Sequence, residues 1–424
     1  MRSSPLRPCI PGGSASIALA SILAVLWPAP AVAADGGRHA TTSAPALTAL
    51  SLTGPAAPVG YGRTASLVAR LTSAGKPVSN RRLDLFRAGA SVASGTTNSD
   101  GRVRFRLKAV ATGTYEAHFA PAPPDAPLYQ PAVSSPLQVT VQPRLALKLS
   151  SALHSRRVTV GIPRQRLRVS GTLAPFAAGS VVVRILRGGR EVRRATRPVT
   201  QKDGRGRFGL DFRPGVRGKY TIRAQTSTGA STAKRLLVVR PSAHEGSRGP
   251  AVRALQSRLS ALGYPGPVNG SFNGTTARSV LAFRKVNGIS RTTSANRAVF
   301  RTLERGGGGF RLRFPNAGKH VEFDWSRQVL VLARGASPVR ILHASSGKPS
   351  TPTVFGTFHF YSKTAGFNSH GMYFSNYFVG GYAIHGYASV PPYAASHGCI
   401  RIPIPSAISV YRWVDIGDRI SVYR

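Results

Sequence analysis

Apolar and charged residues alternate along much of the first half of the chain. Residues 82–85 and 103–107 follow the alternation strictly, which is typical of β-strands with one buried face. Residues 66–71 follow it less strictly, because Val68 makes the opposite face less polar. The pattern predicts an all-β domain over residues 45–142.

The following block, residues 144–241, repeats the first. Asp100-Gly101 is matched by Asp203-Gly204, and Gly113-Thr114-Tyr115 is matched by Gly218-Lys219-Tyr220. Asp-Gly is a strong hairpin signal, so each block has the order hairpin turn, strand, turn and strand-borne tyrosine. We predict two tandem immunoglobulin-like sandwiches. Neither contains a His/Cys/acid cluster, so we expect spacers, with sugar binding as the open alternative.

The hydrophobic period becomes helical over residues 243–305. Apolar residues recur at intervals of three and four, which predicts an amphipathic helix that ends at Gly263. A second helix would be capped by Thr275 or Thr276, and a third would follow. The apolar positions of the first and third predicted helices are Val252, Leu255, Leu259, Leu262, Ala295, Val299 and Leu303. A three-helix bundle of about 60 residues is near the lower limit for a single core.

Four glycines, Gly306 to Gly309, come next, and we interpret residues 306–317 as a flexible glycine-rich linker. Short apolar runs then predict a mixed, mostly β domain over residues 318–424. The predicted strands of this domain are 329–333, 339–342, 357–360 and 381–384.

The first 33 residues have the features of a secretory signal peptide. Arg2 and Arg7 precede a mostly apolar run, Ile17 to Trp27, and the small residues Ala31-Val32-Ala33 form a cleavage site. Residues 34–44 would then be a flexible lead. An uncleaved membrane anchor is the alternative, but a run of this length is short of the ~20 residues that span a bilayer. We expect a secreted protein with no membrane span after cleavage.

The chain has 58 Lys and Arg residues against 14 Asp and Glu, a formal net charge of +44. Such a charge attracts polyanions. Only ten of the basic residues are lysines, and the arginines are spread through every segment without stacking aromatics, so we do not expect nucleic acid as a partner. For an exported protein, anionic cell-wall polymers are the expected partners. A coding bias toward arginine remains an alternative explanation.

Candidate chemistry is concentrated near the end of the chain. Cys9 would be lost with the signal, which leaves Cys399 as the one thiol of the mature chain, with His385 and His397 nearby in sequence. A neighbouring imidazole can accept the thiol proton, so the cluster is typical of a Cys/His acyl-transfer centre. A buried, inert cysteine is the alternative. A zinc site that adds His370 is a further alternative, although the spacing is not a familiar ligand pattern.

Two segments carry a resemblance to a known family. Ile384-His385-Gly386 followed by Ser396-His397-Gly398-Cys399-Ile400-Arg401 resembles the signature of the L,D-transpeptidase catalytic domain family at every position. Ser346-Gly347-Lys348 and Thr351-Pro352-Thr353 resemble a second, upstream feature, with Val354 in place of a proline. The interval from histidine to cysteine is shorter than in many members, which suggests a trimmed loop over the site.

The resemblance implies a role for each motif residue. Cys399 would be the nucleophile, His385 the base, and His397 a supporting residue that orients the site or polarises the carbonyl. Gly398 and the Cys399 amide would serve the oxyanion, and Arg401 would bind a substrate carboxylate. Weaker candidates for substrate contact are Ser396, Gly386 and Tyr382. Because no acid lies near the motif, we expect a backbone carbonyl to orient the base.

A second resemblance lies in the helical region. Residues 253–259 and 280–284, with Leu262-Gly263-Tyr264 between them, resemble the peptidoglycan-binding-domain-like helical repeat. Asn269 stands where that family usually has Asp, which puts the turn chemistry and ligand contact in doubt.

Together these resemblances imply a function. Cys399 would attack the bond before the terminal D-alanine of a tetrapeptide stem, form a thioester, and pass the acyl group to a neighbouring stem in a 3→3 cross-link. No cofactor is needed for thioester chemistry. An L,D-carboxypeptidase and a non-catalytic wall-binding protein are the alternatives.

Overall fold

The computed structural model describes residues 44–126 and 128–424, and the predicted signal peptide lies outside them. The first block is built from short strands whose alternating burial matches the sequence pattern. These strands, β1 to β11, are Thr48–Thr53, Val59–Gly60, Thr64–Ser73, Lys76–Pro77, Arg82–Arg87, Ala90–Thr96, Arg102–Lys108, Gly113–Phe119, Ala132–Val133, Leu137–Val139 and Val141–Gln142. Two antiparallel sheets, centred on β3 and on β8, bury one apolar core between them.

The second block repeats this arrangement. Its strands, β12 to β21, are Arg144–Leu149, Leu153–Ser155, Val158–Gly161, Leu167–Ala174, Ser180–Arg187, Arg190–Pro198, Thr200–Lys202, Arg205–Phe212, Gly218–Thr226 and Ser231–Val238. They form one sheet in the order β12-β15-β19-β18 and a second in the order β13-β14-β21-β20-β16-β17. Tyr115 and its counterpart Tyr220 are both buried, which agrees with a packing role.

Three helices follow where the periodicity predicts them: α1 Pro250–Ala261, α2 Gly274–Val286 and α3 Arg297–Glu304. The cap predicted for α2 at Thr275 or Thr276 is wrong. Asn273 is the N-cap, since its side chain accepts a hydrogen bond from the Thr276 amide, and an Asn side chain is as good an acceptor there as a hydroxyl.

The apolar core beneath these helices is shared with the neighbouring domains. It continues into the second β block on one side and into the last domain on the other, so about 60 residues need not supply a core alone. Members from these three regions include Leu153, Val160, Leu255, Phe283, Val329, Val331 and Ile341.

The glycine-rich linker is packed, and the flexible joint predicted there is wrong. Gly308 has a positive φ of 101°, and a Cβ at this position would lie 2.2 Å from the Phe283 ring. The Gly308 carbonyl accepts a hydrogen bond of 2.8 Å from the Tyr264 hydroxyl. Phe310 and Leu312 are buried in the shared core. These glycines allow close packing and do not supply freedom.

The last domain contains two sheets and one helix. Its elements are β22 Lys319–Asp324, β23 Val329–Arg334, β24 Ser337–His343, β25 Gly356–His359, β26 Ser362–Phe367, β27 Tyr373–Val379, β28 Tyr382–Tyr387, β29 Ile400–Pro403, α4 Ile404–Trp413 and β30 Arg419–Tyr423. One sheet has the order β24-β23-β22-β30-β25 and the other β26-β27-β28-β29. The whole described chain is therefore mostly β, with few helices. Within the described ranges, no helix is both long and apolar enough to cross a bilayer.

The packed linker predicts resistance to trypsin at its two arginines, Arg311 and Arg313, and at Arg305 directly before it. Gly308→Ala should destabilise the joint locally by about 3 kcal/mol, because the methyl group meets Phe283 and the positive φ is strained. Cleavage in this segment, followed by mass spectrometry, should accelerate at least tenfold. Gly318→Ala is the control, since its φ is also positive but its Cβ would meet nothing within 4 Å. Rapid cutting of the unaltered chain would contradict the packed joint.

Candidate functional site

The site lies where two parallel strands, β28 and β29, run side by side. His385 on β28 pairs with Arg401 on β29, and continuing this register backwards brings Cys399 opposite Ala383. Because paired residues of adjacent strands point to the same side, His385 and Arg401 share one face of the sheet, while the Cys399 thiol, just before β29, lies against the backbone of β28. Ile384 and Ile400 occupy the other face and belong to the apolar core. The register thus places the predicted nucleophile two positions before the strand partner of the predicted base.

His385 is held in one tautomer by a backbone carbonyl. Its ring Nδ1 lies 2.9 Å from the Gly386 oxygen, and a carbonyl can only accept, so Nδ1 carries the proton. Nε2 then presents a lone pair and makes no hydrogen bond within the described chain. A carbonyl in this position agrees with the expectation drawn from the scarcity of acids.

Burial is the main cause that lowers the pKa of His385 to about 4, while the Gly386 carbonyl opposes this shift and the Arg401 charge adds to it. The side chain is only 3% exposed. The imidazole is therefore neutral at neutral pH and is available as a proton acceptor.

The Cys399 thiol has backbone contacts on both sides. Sγ accepts a hydrogen bond from the Ala383 amide at 3.4 Å and donates one to the Gly381 carbonyl at 3.6 Å. Burial raises the pKa of Cys399, and the Ala383 amide and the Arg401 charge only partly offset it. No hydrogen bond joins the thiol to the His385 ring in the part of the chain that the structure describes. Burial thus favours the neutral form of both the thiol and the imidazole.

A tight turn directly before β29 positions Cys399. The Ser396 hydroxyl donates to the Cys399 carbonyl at 2.5 Å and accepts from the Gly398 amide at 3.1 Å. Gly398 has a φ of +124°, and a Cβ there would lie 2.6 Å from the Tyr382 ring, so this position requires glycine. The Cys399 amide makes no hydrogen bond among the described residues, which leaves it free to bind an oxyanion.

Hydrogen bonds from residues 345–353 hold this turn in place. Ser345 exchanges two backbone hydrogen bonds with Arg401, of 2.8 and 2.9 Å. The Thr353 hydroxyl donates to the Gly398 carbonyl at 2.6 Å and accepts from the Gly347 amide at 2.9 Å. The motifs Ser346-Gly347-Lys348 and Thr351-Pro352-Thr353 thus support the cysteine turn. The spacing of the motifs alone does not reveal which carbonyls they reach.

Arg401 lies beside Tyr387, with its guanidinium carbon 4.1 Å from the ring centroid. Its side chain makes no salt bridge or hydrogen bond to the residues described here, so its donors are available to a ligand. His397 is exposed and likewise lacks a hydrogen bond to any described residue. The turn therefore separates His397 from the buried environment of His385.

Three weaker candidates for substrate contact have internal roles. The buried Ser396 hydroxyl is used within the turn, and the Tyr382 ring packs on Gly398. A Cβ on Gly386 would lie 2.7 Å from Ala407 of α4, so the glycine allows the helix to approach. These three residues thus help to position the turn and the strand, and their contact with substrate stays a prediction.

The described residues do not form the cluster of ligands that the alternative zinc site would need. Within residues 44–126 and 128–424, no three His, Cys, Asp or Glu side chains converge in a way that could hold a metal ion. His370 thus does not join His385, His397 and Cys399 in a ligand set.

Comparison with known families gives two matches. Residues 318–422 match the L,D-transpeptidase catalytic domain, and residues 248–303 match the peptidoglycan binding domain. A search of curated proteins gives no match.

Solved structures include similar proteins. The crystal structure of an L,D-transpeptidase from Xylanimonas cellulosilytica is 33% identical, covers 44% of this chain and 98% of its own, and has a TM-score of 0.42. The catalytic domain of the Enterococcus faecium L,D-transpeptidase is 22% identical over 25% of this chain and 98% of its own, with a TM-score of 0.22. An L,D-transpeptidase from Mycobacterium tuberculosis is 12% identical over 63% of this chain and 95% of its own, with a TM-score of 0.23.

The assignment rests on the matched segments and on the 33% identity, and not on these TM-scores. The match at residues 318–422 includes the whole Cys399 site, and the identity to the Xylanimonas enzyme extends over nearly that enzyme's full solved length. The chain belongs to the L,D-transpeptidase family.

Proposed function

We propose that this protein is a secreted peptidoglycan L,D-transpeptidase that forms 3→3 cross-links through a thioester on Cys399. The observation that carries the proposal is the arrangement along β28: the Cys399 thiol contacts the Ala383 amide, His385 two residues further along presents a neutral imidazole with a free Nε2, and the Cys399 amide is unused. This set supplies a nucleophile, a base and an oxyanion donor.

Acylation begins with a proton transfer. The thiol leaves the Gly381 carbonyl and turns toward His385, whose Nε2 takes the proton as sulfur bonds to the carbonyl carbon of the third stem residue. Such contacts commonly tighten only when substrate binds. The Cys399 amide binds the oxyanion. The carbon–nitrogen bond then breaks, the imidazolium protonates the amine, and D-alanine leaves behind a thioester.

The second half-reaction reverses these proton movements. An amine of a neighbouring stem attacks the thioester carbonyl and gives its proton to His385, and the thiol is restored as the new amide forms. With water as the acceptor the same site would act as a carboxypeptidase. Arg401 holds a carboxylate of the stem by a bidentate contact, because its guanidinium is fixed over Tyr387 and has free donors. His397 assists at the exposed mouth of the site.

The remaining domains serve to hold the enzyme at the wall. We assign residues 45–142 and 144–241 to immunoglobulin-like spacers, residues 243–305 to a peptidoglycan-binding three-helix bundle, and residues 318–424 to catalysis. The two-sheet core of each β block and the matched helical segment support these assignments.

One basic face of the first β block supports retention by anionic wall polymers. Arg70 on β3 lies directly opposite Arg102 on β7, a like-charge pair that is unfavourable in isolation. Further exposed cations continue along the same face of β7, and none of them forms a salt bridge within the described chain. They are Arg104, Arg106 and Lys108. A bound polyanion would relieve this repulsion.

The central test uses disaccharide-tetrapeptide as substrate. We expect the purified enzyme to release D-alanine and accumulate cross-linked dimer, both detected by mass spectrometry. Cys399→Ala should abolish both products, a loss of at least a thousandfold, because no other thiol is available. Tripeptide without dimer would instead indicate a carboxypeptidase. Unchanged D-alanine release in Cys399→Ala would contradict the nucleophile assignment.

The low pKa of His385 predicts a broad pH range. Because the imidazole stays neutral above about pH 4, kcat/KM for D-alanine release should stay constant within about twofold from pH 7 to pH 5. A base with the ordinary pKa near 6.5 would lose about thirtyfold at pH 5. Circular dichroism at each pH controls for unfolding. An acid limb centred between pH 6 and 7 would overturn this description of the base.

Retention at the wall can be tested with charge-matched variants. The triple variant Arg102→Gln/Arg104→Gln/Arg106→Gln should weaken cosedimentation with teichoic-acid-bearing walls on the order of tenfold in 0.1 M salt. The control triple Arg82→Gln/Arg166→Gln/Arg207→Gln removes the same charge from arginines that have carboxylate partners, and should have a smaller effect. Equal losses, or binding indifferent to salt, would count against a specific basic face.

A further inference from the structure

A buried lysine of the helical segment reaches into the catalytic domain. Lys285, near the end of α2, is only 3% exposed. Its Nζ donates to the carbonyl oxygens of Gln328 at 3.0 Å and Ala344 at 2.9 Å, and lies 2.8 Å from His343 Nδ1. An ammonium has three protons, so every donor has an acceptor in another domain.

His343 transmits this contact to the loop that precedes Cys399. Its Nε2 lies 2.8 Å from the Val390 carbonyl, which must accept, so Nε2 carries the proton and Nδ1 is the acceptor for Lys285. Burial, with help from the nearby charges of Lys285, Arg278 and Arg291, lowers the pKa of His343 to about 3 and keeps the ring neutral. Burial and the nearby charge of Arg291 lower the pKa of Lys285, while hydrogen bonds to three acceptors favour the ammonium form.

A second cation of the helical segment binds the same loop. Arg291, after α2, donates through Nη1 to the Pro392 carbonyl and through Nη2 to the Ser326 carbonyl, each at 2.8 Å. We call residues 388–395, between β28 and the cysteine turn, the entry loop. Within it, Pro392 is held directly by Arg291, and Val390 is held by His343, which in turn contacts Lys285.

A third connection runs beneath the cysteine turn. Gln328, whose carbonyl binds Lys285, makes two side-chain hydrogen bonds of 2.8 Å with Ser346. The Ser346 carbonyl in turn accepts the amides of Ala395 at 2.8 Å and Ser396 at 2.9 Å. Ser396 closes the turn at Cys399. Continuous buried hydrogen bonds thus link α2 to the nucleophile.

We propose that the helical segment is a working part of the active site, in which Lys285 and Arg291 are positioning residues that fix the entry loop and the cysteine turn. The inference rests on the proposed transpeptidase function and deepens it. On this account the segment matched to a wall-binding family also determines how accurately Cys399 meets its substrate, since displacements near 1 Å can cost about a hundredfold in rate.

The test compares two buried cations that are neighbours on α2. Lys285→Met removes the contacts to Gln328, His343 and Ala344 while keeping a long apolar side chain. Arg284→Met is the control, because Arg284 is equally buried but its guanidinium binds the carbonyls of Ser290 and Ser294 inside the helical segment.

We expect Lys285→Met to lower kcat for D-alanine release at least tenfold with KM changed less than threefold, and Arg284→Met to leave kcat within about threefold. Amide hydrogen exchange in residues 388–395 should accelerate in Lys285→Met alone. Equal losses of kcat in both variants, or an entry loop as protected as in the unaltered protein, would overturn the proposal.

Arg291→Ala tests the same proposal without replacing a buried side chain. Arg291 is exposed, so its loss should leave the fold intact while exchange at residues 388–395 accelerates and kcat falls about threefold or more. No change in either quantity would contradict the proposal. If the unaltered protein releases no D-alanine, the transpeptidase function itself fails, whereas exchange in the entry loop still tests the positioning role.

Discussion

The site depends on a constrained turn whose own hydrogen bonds leave one amide unused. Gly398 takes a φ of +124°, and Ser396 satisfies the Gly398 amide and the Cys399 carbonyl, so the Cys399 amide remains open beside the thiol. Such a turn is costly unless its surroundings fix it. Thr353 and Ser345 do so from a neighbouring segment, so the fold itself fixes the amide that we propose as the oxyanion donor.

Burial shifts the pKa values of the site residues more than nearby charges do. A chain with 58 basic and 14 acidic residues has few carboxylates to pair with an imidazole, and His385 is oriented by the Gly386 carbonyl. Without a nearby carboxylate, burial keeps both the ring and the thiol neutral. On the proposed mechanism, proton transfer would be coupled to attack, and the neutral thiol would be activated only when substrate occupies the site.

Much of this could be predicted from the sequence, because its signals are local. Strand alternation, helical periodicity and the spacing of His385 and Cys399 each depend on residues close together in the chain. The supporting network was missed because its partners are remote: Thr353 reaches Gly398, and Lys285 reaches Gln328 and Ala344. No periodic pattern encodes such contacts.

Two further features have physical causes. Glycines at 306–309 indicate freedom when only composition is considered, yet Gly308 is needed because the Phe283 ring occupies the space of a Cβ. A bundle of about 60 residues is near the lower limit for a single core, and Val331 and Ile341 of the catalytic domain complete the core of the helical segment. Sharing a core makes the helical segment part of the catalytic unit, which is why its cations can reach the entry loop.

The account depends most on a covalent bond to one sulfur. The enzyme should be mixed with tetrapeptide donor, quenched in acid within seconds, digested and mapped by mass spectrometry. The account predicts an added mass equal to the donor less D-alanine, confined to the peptide that contains Cys399 and removed by hydroxylamine as expected for a thioester. An adduct on another residue, or product formation with no adduct at Cys399 at any time, would contradict it.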